Sequence, residues 1–454
     1  MLIKIVRLIL SSVFIFLSAC GSAQPLITTV ILPTVIKETQ IVEVTRIVTQ
    51  VIVVTVEVPK ATIEPPPAIP IEIIPTEIPP TPYPDAALPP VTPLVFVNQG
   101  VTLPIPRSQH TATRLLNGRI LLAGGSISDN VQTASVEIFD PITGSTTQVT
   151  SMNNPRHDHN ATLLFDGRVL VTAGYNAFDQ WLDDSEVYDP ATDEWTVFPM
   201  LSTHGVGHTA TLMQDGRVLV VGGANGSGEG TDRVEIFDPV TNSWWGAMPL
   251  SVPRASHSAQ LLGDGRVLVI GGGSLDGVPG DGDSIIYDPH TNTWKPTGPM
   301  IKPRIFGKSV MLTDGRVLVA GGINIEDTVP GGNPLNTSSS TEIYDPASNT
   351  WAATGDLFHG RFGHILMLLP DGSVLVSGGS RDYDCCFTAN SFIPEIEIFN
   401  PSTGIWSTGG YLPLPGSYSA GVALPDGSLW ISGGRTGPSG SFYLPETWLI
   451  SLMQ

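Results

Sequence analysis

The chain is poor in cysteine, in basic residues and in charge altogether. Three cysteines in 454 residues exclude the disulfide scaffold that holds many small secreted domains together. Lys and Arg number 22 against 42 Asp and Glu, a net charge of −20. That deficit excludes a surface built to neutralise phosphates, so no nucleic acid is expected as a partner. What is abundant is glycine and proline, 48 and 40 residues. Spread along the chain, they point to a turn-rich β-protein. The length allows two or three average domains, or one large all-β domain with extra segments.

Residues 1–19 carry Lys4 and Arg7 ahead of the apolar run 8–17. This is the basic and hydrophobic pattern of an export signal, too short to be taken first as a spanning helix. The next residues, Leu17-Ser18-Ala19-Cys20-Gly21, resemble the lipobox of bacterial lipoproteins. The resemblance implies cleavage before Cys20, lipidation of Cys20, and a mature chain anchored to a membrane by its acyl chains. The expected address is the bacterial cell surface or periplasm. The alternative is an ordinary signal peptide with a chance cysteine.

Residues 20–93 form the second unit of the expected organisation, a stalk. Within it, 41–58 is β-branched at 14 of 18 positions and interrupted by Glu43, Arg46 and Glu57, which argues against a membrane span. It reads as an extended β-segment. A second reading is a heptad seam through Ile41, Val44, Val48, Val51, Thr55 and Val58, which would oligomerise the chain. Residues 59–93 contain 13 prolines in 35, a composition that favours polyproline II and acts as a spacer.

The third unit, 94–454, is one pattern used seven times. An apolar run reaches Asn-Gly or Asp-Gly at 117–118, 166–167, 215–216, 264–265, 314–315, 371–372 and 426–427, then continues as another apolar run. This is the signature of a tight hairpin, expected as a type I′ turn. The second run ends in a pair of small residues, as at Gly124-Gly125, Ala173-Gly174 and Gly222-Gly223. A third strand follows and ends in Asp-Pro, or in Asn400-Pro401. Six residues after that Asp or Asn stands Trp195, Trp244, Trp294, Trp351 or Trp406, whereas the first copy has Thr146. The double glycine, the Asp-Pro turn and the spaced tryptophan resemble kelch repeats. The resemblance implies an all-β, seven-bladed propeller. The seventh copy lacks a fourth strand, and 94–99 is expected to supply it and close the ring.

Arg107, Arg156, Arg254, Arg304 and Arg361 recur before the first strand, and His110, His159, His208, His257 and His364 three residues later. A catalytic group is needed once, so these are expected to be scaffold, with the recurring Glu137, Glu186, Glu235, Glu342 and Glu397 neutralising the arginines. Function is expected where the copies differ, in the loops between second and third strands. Candidate ligand-binding residues are Trp181 and Asp184 in the second copy, and Arg381, Tyr383 and Asp384 in the sixth; aromatic rings beside carboxylates suit a sugar. Cys385 and Cys386 are expected to oxidise to a vicinal disulfide outside the cytoplasm. Calcium on Asp276, Asp281 and Asp283, and zinc or copper on His157, His159 and His204, are weaker readings. No metal and no cofactor are expected, and catalytic residues are unknown.

Three functions compete, the third being a structural surface protein oligomerised through 41–58. The first is a lipid-anchored binding module for a protein or glycan ligand, which kelch propellers commonly are. The second is a carbohydrate-active enzyme, either a sugar mutarotase or an oxidase similar to galactose oxidase. The oxidase family uses a copper site that includes a Tyr-His dipeptide. This chain has none, so no copper ligand transfers to it.

Overall fold

The computed structural model describes residues 94–97, 102–176, 180–200, 202, 204–273, 284–324, 337–382, 391–437 and 440–452. The export segment, Cys20, the stalk with 41–58, Phe178, Asp276, Asp281, Asp283, Tyr383, Asp384, Cys385 and Cys386 lie outside the described residues. Among the described residues no helix is long and apolar enough to cross a membrane.

Seven four-stranded antiparallel sheets form the propeller. In blade 1, Thr111–Arg114, Ile120–Ala123, Val136–Asp140 and Ser145–Val149 run from the inside outward. The innermost strand of each blade touches those of its two neighbours, so Thr111–Arg114 meets both Asn160–Leu163 of blade 2 and Ala420–Ala423 of blade 7. Blade 7 takes its outermost strand from the other end of the propeller sequence. Leu94–Val97 pairs antiparallel with Thr447–Leu452, Leu94 opposite Leu452 and Val97 opposite Leu449. Closing the ring in this way leaves no unpaired sheet edge between first and last blades.

Burial explains why the second strands read as unbroken apolar runs. Ile120–Ala123, Val169–Thr172, Val218–Val221 and Val267–Ile270 are buried at every residue, because blades cover both of their faces. The core therefore lies between blades. Leu121, Ala123, Val136 and Ile138 of blade 1 pack on Val169, Val171 and Tyr188 of blade 2. No blade can bury both faces alone. The outer tryptophans join the same interfaces: Trp195 Nε1 donates to Thr150 O at 2.8 Å, and Trp294 Nε1 to Met248 O at 2.7 Å, each across a blade boundary.

The hairpin turns differ from the type I′ expectation. Gly118 N–H donates to Leu115 O at 2.9 Å and Leu115 N–H to Arg119 O at 2.8 Å. Gly118 has φ +83°, while Asn117 is not in the left-handed region. This is a type I turn closed by a left-handed glycine, a three-residue loop. The extra residue means that only glycine must adopt positive φ. It also places a side chain against the next blade: a Cβ on Gly167 would lie 3.0 Å from Leu116, and one on Gly216 3.0 Å from Phe165.

The recurring charges are internal. Arg107 Nη1 donates to Gly124 O at 3.0 Å and Nη2 to Glu137 at 2.7 Å. Arg156 bonds Ala173 O at 2.8 Å and Glu186 at 2.7 Å. Arg304 bonds Gly321 O at 3.0 Å and Glu342 at 2.6 Å. Arg361 bonds Gly378 O at 3.0 Å and also Glu397. All four guanidinium groups are buried. The second oxygen of Glu342 accepts Ile301 N–H at 2.7 Å. Each such pair clamps the entry of a blade to its own third strand. Desolvation makes a buried pair a modest net stabiliser, but breaking one leaves an uncompensated charge. Glu342→Ala should therefore cost about 3–5 kcal/mol, read as a lower midpoint in urea denaturation. An unchanged midpoint would show that the clamp carries no load.

Candidate functional site

The connection into each blade ends in one residue with positive φ, immediately before its first-strand histidine or the equivalent residue. These are Gln109 (55°), Asp158 (52°), Gly207 (71°), Ser256 (56°), Phe306 (57°), Gly363 (64°) and Tyr418 (58°). All seven line one cavity of about 350 Å³ at the mouth of the central channel. Backbone hydrogen bonds link them from blade to blade: Gln109 N–H to Tyr418 O at 3.0 Å, Asp158 to Gln109 O at 3.3 Å, Ser256 to Gly207 O at 2.7 Å, Phe306 to Ser256 O at 2.8 Å, and Tyr418 to Gly363 O at 2.8 Å. A non-glycine residue in this region costs on the order of 1 kcal/mol. Five of the seven blades carry a side chain there.

The mouth opens on the loop-bearing face. In six blades the residue before the left-handed position bridges to the start of its blade's loop between second and third strands, as in Ser108 with Ser126, His157 with Tyr175, and Ser417 with Arg435. The lining is two-sided. Gln109, Asp158 and Asn160 offer hydrogen-bonding groups and Ser256 contributes a buried hydroxyl, while Phe306 and Tyr418 offer rings. Gln109 Nε2 donates to Asp158 Oδ2 at 2.8 Å, and His157 Nδ1 lies 3.1 Å from the same oxygen. Phe362 stands behind the rings, with Phe306 at 6.2 Å and Tyr418 edge-on at 5.9 Å. Lys308, on the first strand of blade 5, reaches water inside the channel. Enclosure by the ring holds its ammonium below the ordinary lysine range, and Asp158 opposes that shift.

The channel histidines are neutral spacers. His110 Nε2 meets Ser432 Oγ at 2.9 Å, His159 Nε2 meets Thr111 Oγ1 at 3.0 Å, His208 Nε2 meets Thr172 Oγ1 at 2.9 Å, and His257 Nε2 meets Thr209 Oγ1 at 3.0 Å. Each contact crosses a blade boundary. Burial pushes His110, His208 and His257 down to about 3, with neighbouring charges secondary.

A second recess of about 480 Å³ adjoins the mouth and shares Asp158 and Val206 with it. It is walled by His157, Tyr175, Trp181 and Gly226. The paired strands Tyr175–Asn176 and Gln180–Trp181 set Tyr175 opposite Trp181. Their rings meet edge-on at 5.4 Å, and His157 meets Tyr175 edge-on at 5.5 Å. Trp181 lies over blade 3, where Gly205 stands at the position of the recurring arginine. A Cβ on Gly205 would come within 2.3 Å of the indole. A side chain there would meet both the indole and Ala224 O, and the contacts made elsewhere by arginine are taken over by His204, whose Nδ1 lies 2.7 Å from Gly222 O and whose Nε2 lies 3.5 Å from Glu235.

The other sequence candidates divide. Asp184 is engaged by Arg156 at 2.8 Å and by Asn154 Nδ2 at 2.6 Å. Arg381 is exposed on blade 6, its guanidinium 3.9 Å from Glu395, and it does not line the channel. His157 and His159 point to different partners, Asp158 and Thr111. Sequence reasoning missed the left-handed ring. Its readable signal was the position between the recurring arginine and histidine that varies from copy to copy and is glycine in two of them.

Copper chemistry does not fit the donors present. Among the described residues no group of three or more His, Cys, Asp and Glu is placed to hold a metal ion. The channel imidazoles are directed at hydroxyls, and the mouth carries an ammonium. We derive no step through copper.

Residues 207–434 match the family model of the KLHDC2/KLHL20/DRC7 Kelch-repeats domain, and residues 95–279 that of the Attractin/LZTR1 beta-propeller. No curated protein sequence matches the chain significantly. Among solved structures, a novel fungal alcohol oxidase of the AA5 family, in complex with copper, is similar over 79% of this chain and 76% of its own, with TM-score 0.62 and 20% identity. YjhT is similar over 68% of this chain and 98% of its own, with TM-score 0.50 and 16% identity. At these identities the likeness is one of fold.

The buried imidazoles set a pH dependence. The unfolded chain protonates each near pH 6.5, whereas folded His110, His208 and His257 resist protonation until about 3. Stability is full above about pH 6.5 and falls as pH drops toward 3, by about 1.4 kcal/mol per unit for each imidazole. Denaturant midpoints at pH 7.5 and 5.5 check the sign. The midpoint should be lower at 5.5; equal midpoints would contradict it.

Proposed function

The chain belongs to the kelch-repeat family, and from that premise we propose that it is a lipid-anchored binding module held outside the cytoplasm on its Pro-rich stalk. Its ligand is a glycan, taken at the channel mouth and the adjoining aromatic recess. The observation that carries this reading is the seat of Trp181. Blade 3 carries Gly205 at the position of the recurring arginine, and the indole seated over that glycine forms one wall of the recess. A half-exposed Trp edge-on to Tyr, beside the Asp158 carboxylate, offers an apolar face for sugar C–H groups and an acceptor for hydroxyls.

A glycan panel presented to the purified protein tests the reading. At least one glycan should bind, and Trp181→Ala should weaken it about ten-fold or more with little change in Tm. A panel with no binder, or a Trp181→Ala variant that binds as the parent does, would contradict it.

A further inference from the structure

The left-handed ring carries information beyond the recess. Blades 3 and 6 meet its backbone demand with Gly207 and Gly363, the residue type that adopts positive φ without strain. Blades 1, 2, 4, 5 and 7 hold Gln, Asp, Ser, Phe and Tyr in the same conformation. Strained non-glycine residues cluster where a side chain must be presented. Ser256 makes the case most sharply. It is buried at φ 56°, and its hydroxyl finds no hydrogen-bond partner among the described residues. The fold holds that side chain in a strained conformation and gains no hydrogen bond from its hydroxyl.

The five side chains are not scattered. Gln109, Asp158 and Ser256 fall on one arc with Asn160, and Phe306 and Tyr418 on the other. Lys308 follows Phe306 by two residues. Blade 5 has Gly307 where five other blades have histidine. The Lys308 side chain makes no hydrogen bond or ion pair among the described residues. The carboxylate of Asp158 is already engaged by Gln109 and faced by His157. The channel thus presents one ammonium without a direct partner, a carboxylate across the cavity from it, one hydrogen-bonding arc and one aromatic arc.

We propose that Gln109, Asp158, Ser256, Phe306 and Tyr418, together with Lys308, form a specificity ring for a small hydroxylated monoanion whose carboxylate meets the Lys308 ammonium. This rests on the channel mouth being a ligand site and names the class of ligand that it takes. A single lysine is a point charge suited to one negative charge. A phosphate dianion would add repulsion from Asp158 and would want the forked donors of arginine. Hydroxyls along one edge of the ligand meet the polar arc, and its C–H face meets the two rings.

The test uses D-glucuronate and D-galacturonate against the neutral sugars glucose and galactose, titrated into the propeller and its variants at fixed ionic strength. The uronates should bind about ten-fold or more tightly than their neutral counterparts. Lys308→Gln should remove that preference without removing neutral-sugar binding. Ser256→Gly should weaken uronate binding several-fold while Tm stays level or rises by up to about 3 °C. That split between stability and binding is what a purely structural serine would not give. Uronates binding no better than neutral sugars, or Ser256→Gly lowering Tm with binding intact, would overturn the proposal. Loss of glycan binding in Trp181→Ala with the ring variants unaffected would leave the recess standing and remove the ring. The opposite pattern would keep the ring and remove the recess.

Discussion

One hydrogen bond, made seven times, carries the architecture. The amide of the second residue in each small pair donates to a carbonyl in the next blade: Gly125 to Arg156, Gly174 to Gly205, Gly223 to Arg254, Gly272 to Arg304, Gly322 to Arg361, Gly379 to Gly416, and Gly434 back to Arg107. The distances are 2.8–3.0 Å. This approach explains why the pairs must be small. A Cβ on Gly124 would lie 2.6 Å from Arg156 O, and one on Gly433 2.3 Å from Arg107 O. The last link is the same as the other six, so the ring has no weak seam on its inner side. On its outer side Leu94–Val97 completes the closure.

That link also creates the mouth. The carbonyl that accepts the bond belongs to the residue whose side chain, when arginine, turns back to clamp its own third strand. With the backbone held at that carbonyl, the chain must turn sharply within two residues to enter the first strand. The turn places one left-handed residue per blade at the channel edge. Scaffold and site are therefore separated by two positions in sequence. Arginine and histidine are repeated because they hold blades together, and their charges are cancelled or suppressed. The residue between them is free to differ, and its differences give the channel a polar side and an aromatic side.

Much of this was legible in the sequence, and the remainder was hidden for physical reasons. Seven copies of a hairpin signal, a small pair and an Asp-Pro turn fix the blade count, because each feature reports a local backbone requirement. The fate of Arg107 and Glu137 was readable as well, since two recurring opposite charges in a buried repeat have little choice but to meet. The hairpin type was not. Asn117-Gly118 is compatible with two loop lengths, and only the packing of Leu116 on the next blade's Gly167 distinguishes them. The seat of Trp181 was hidden for the same reason. The signal was an absence, Gly205 in place of arginine, and its meaning depends on a side chain from a different blade. Asp184 looked like a ligand group because nothing local shows that Arg156 reaches it.

The central claim is that seven equivalent inter-blade bonds fix the backbone from which a non-equivalent ring of side chains is presented. Native-state hydrogen exchange at the amides of Gly125, Gly174, Gly223, Gly272, Gly322, Gly379 and Gly434 tests it most directly. All seven should exchange only through global unfolding, with the closing bond of Gly434 as protected as the rest. Local opening at Gly434, or exchange that differs from blade to blade, would contradict the account.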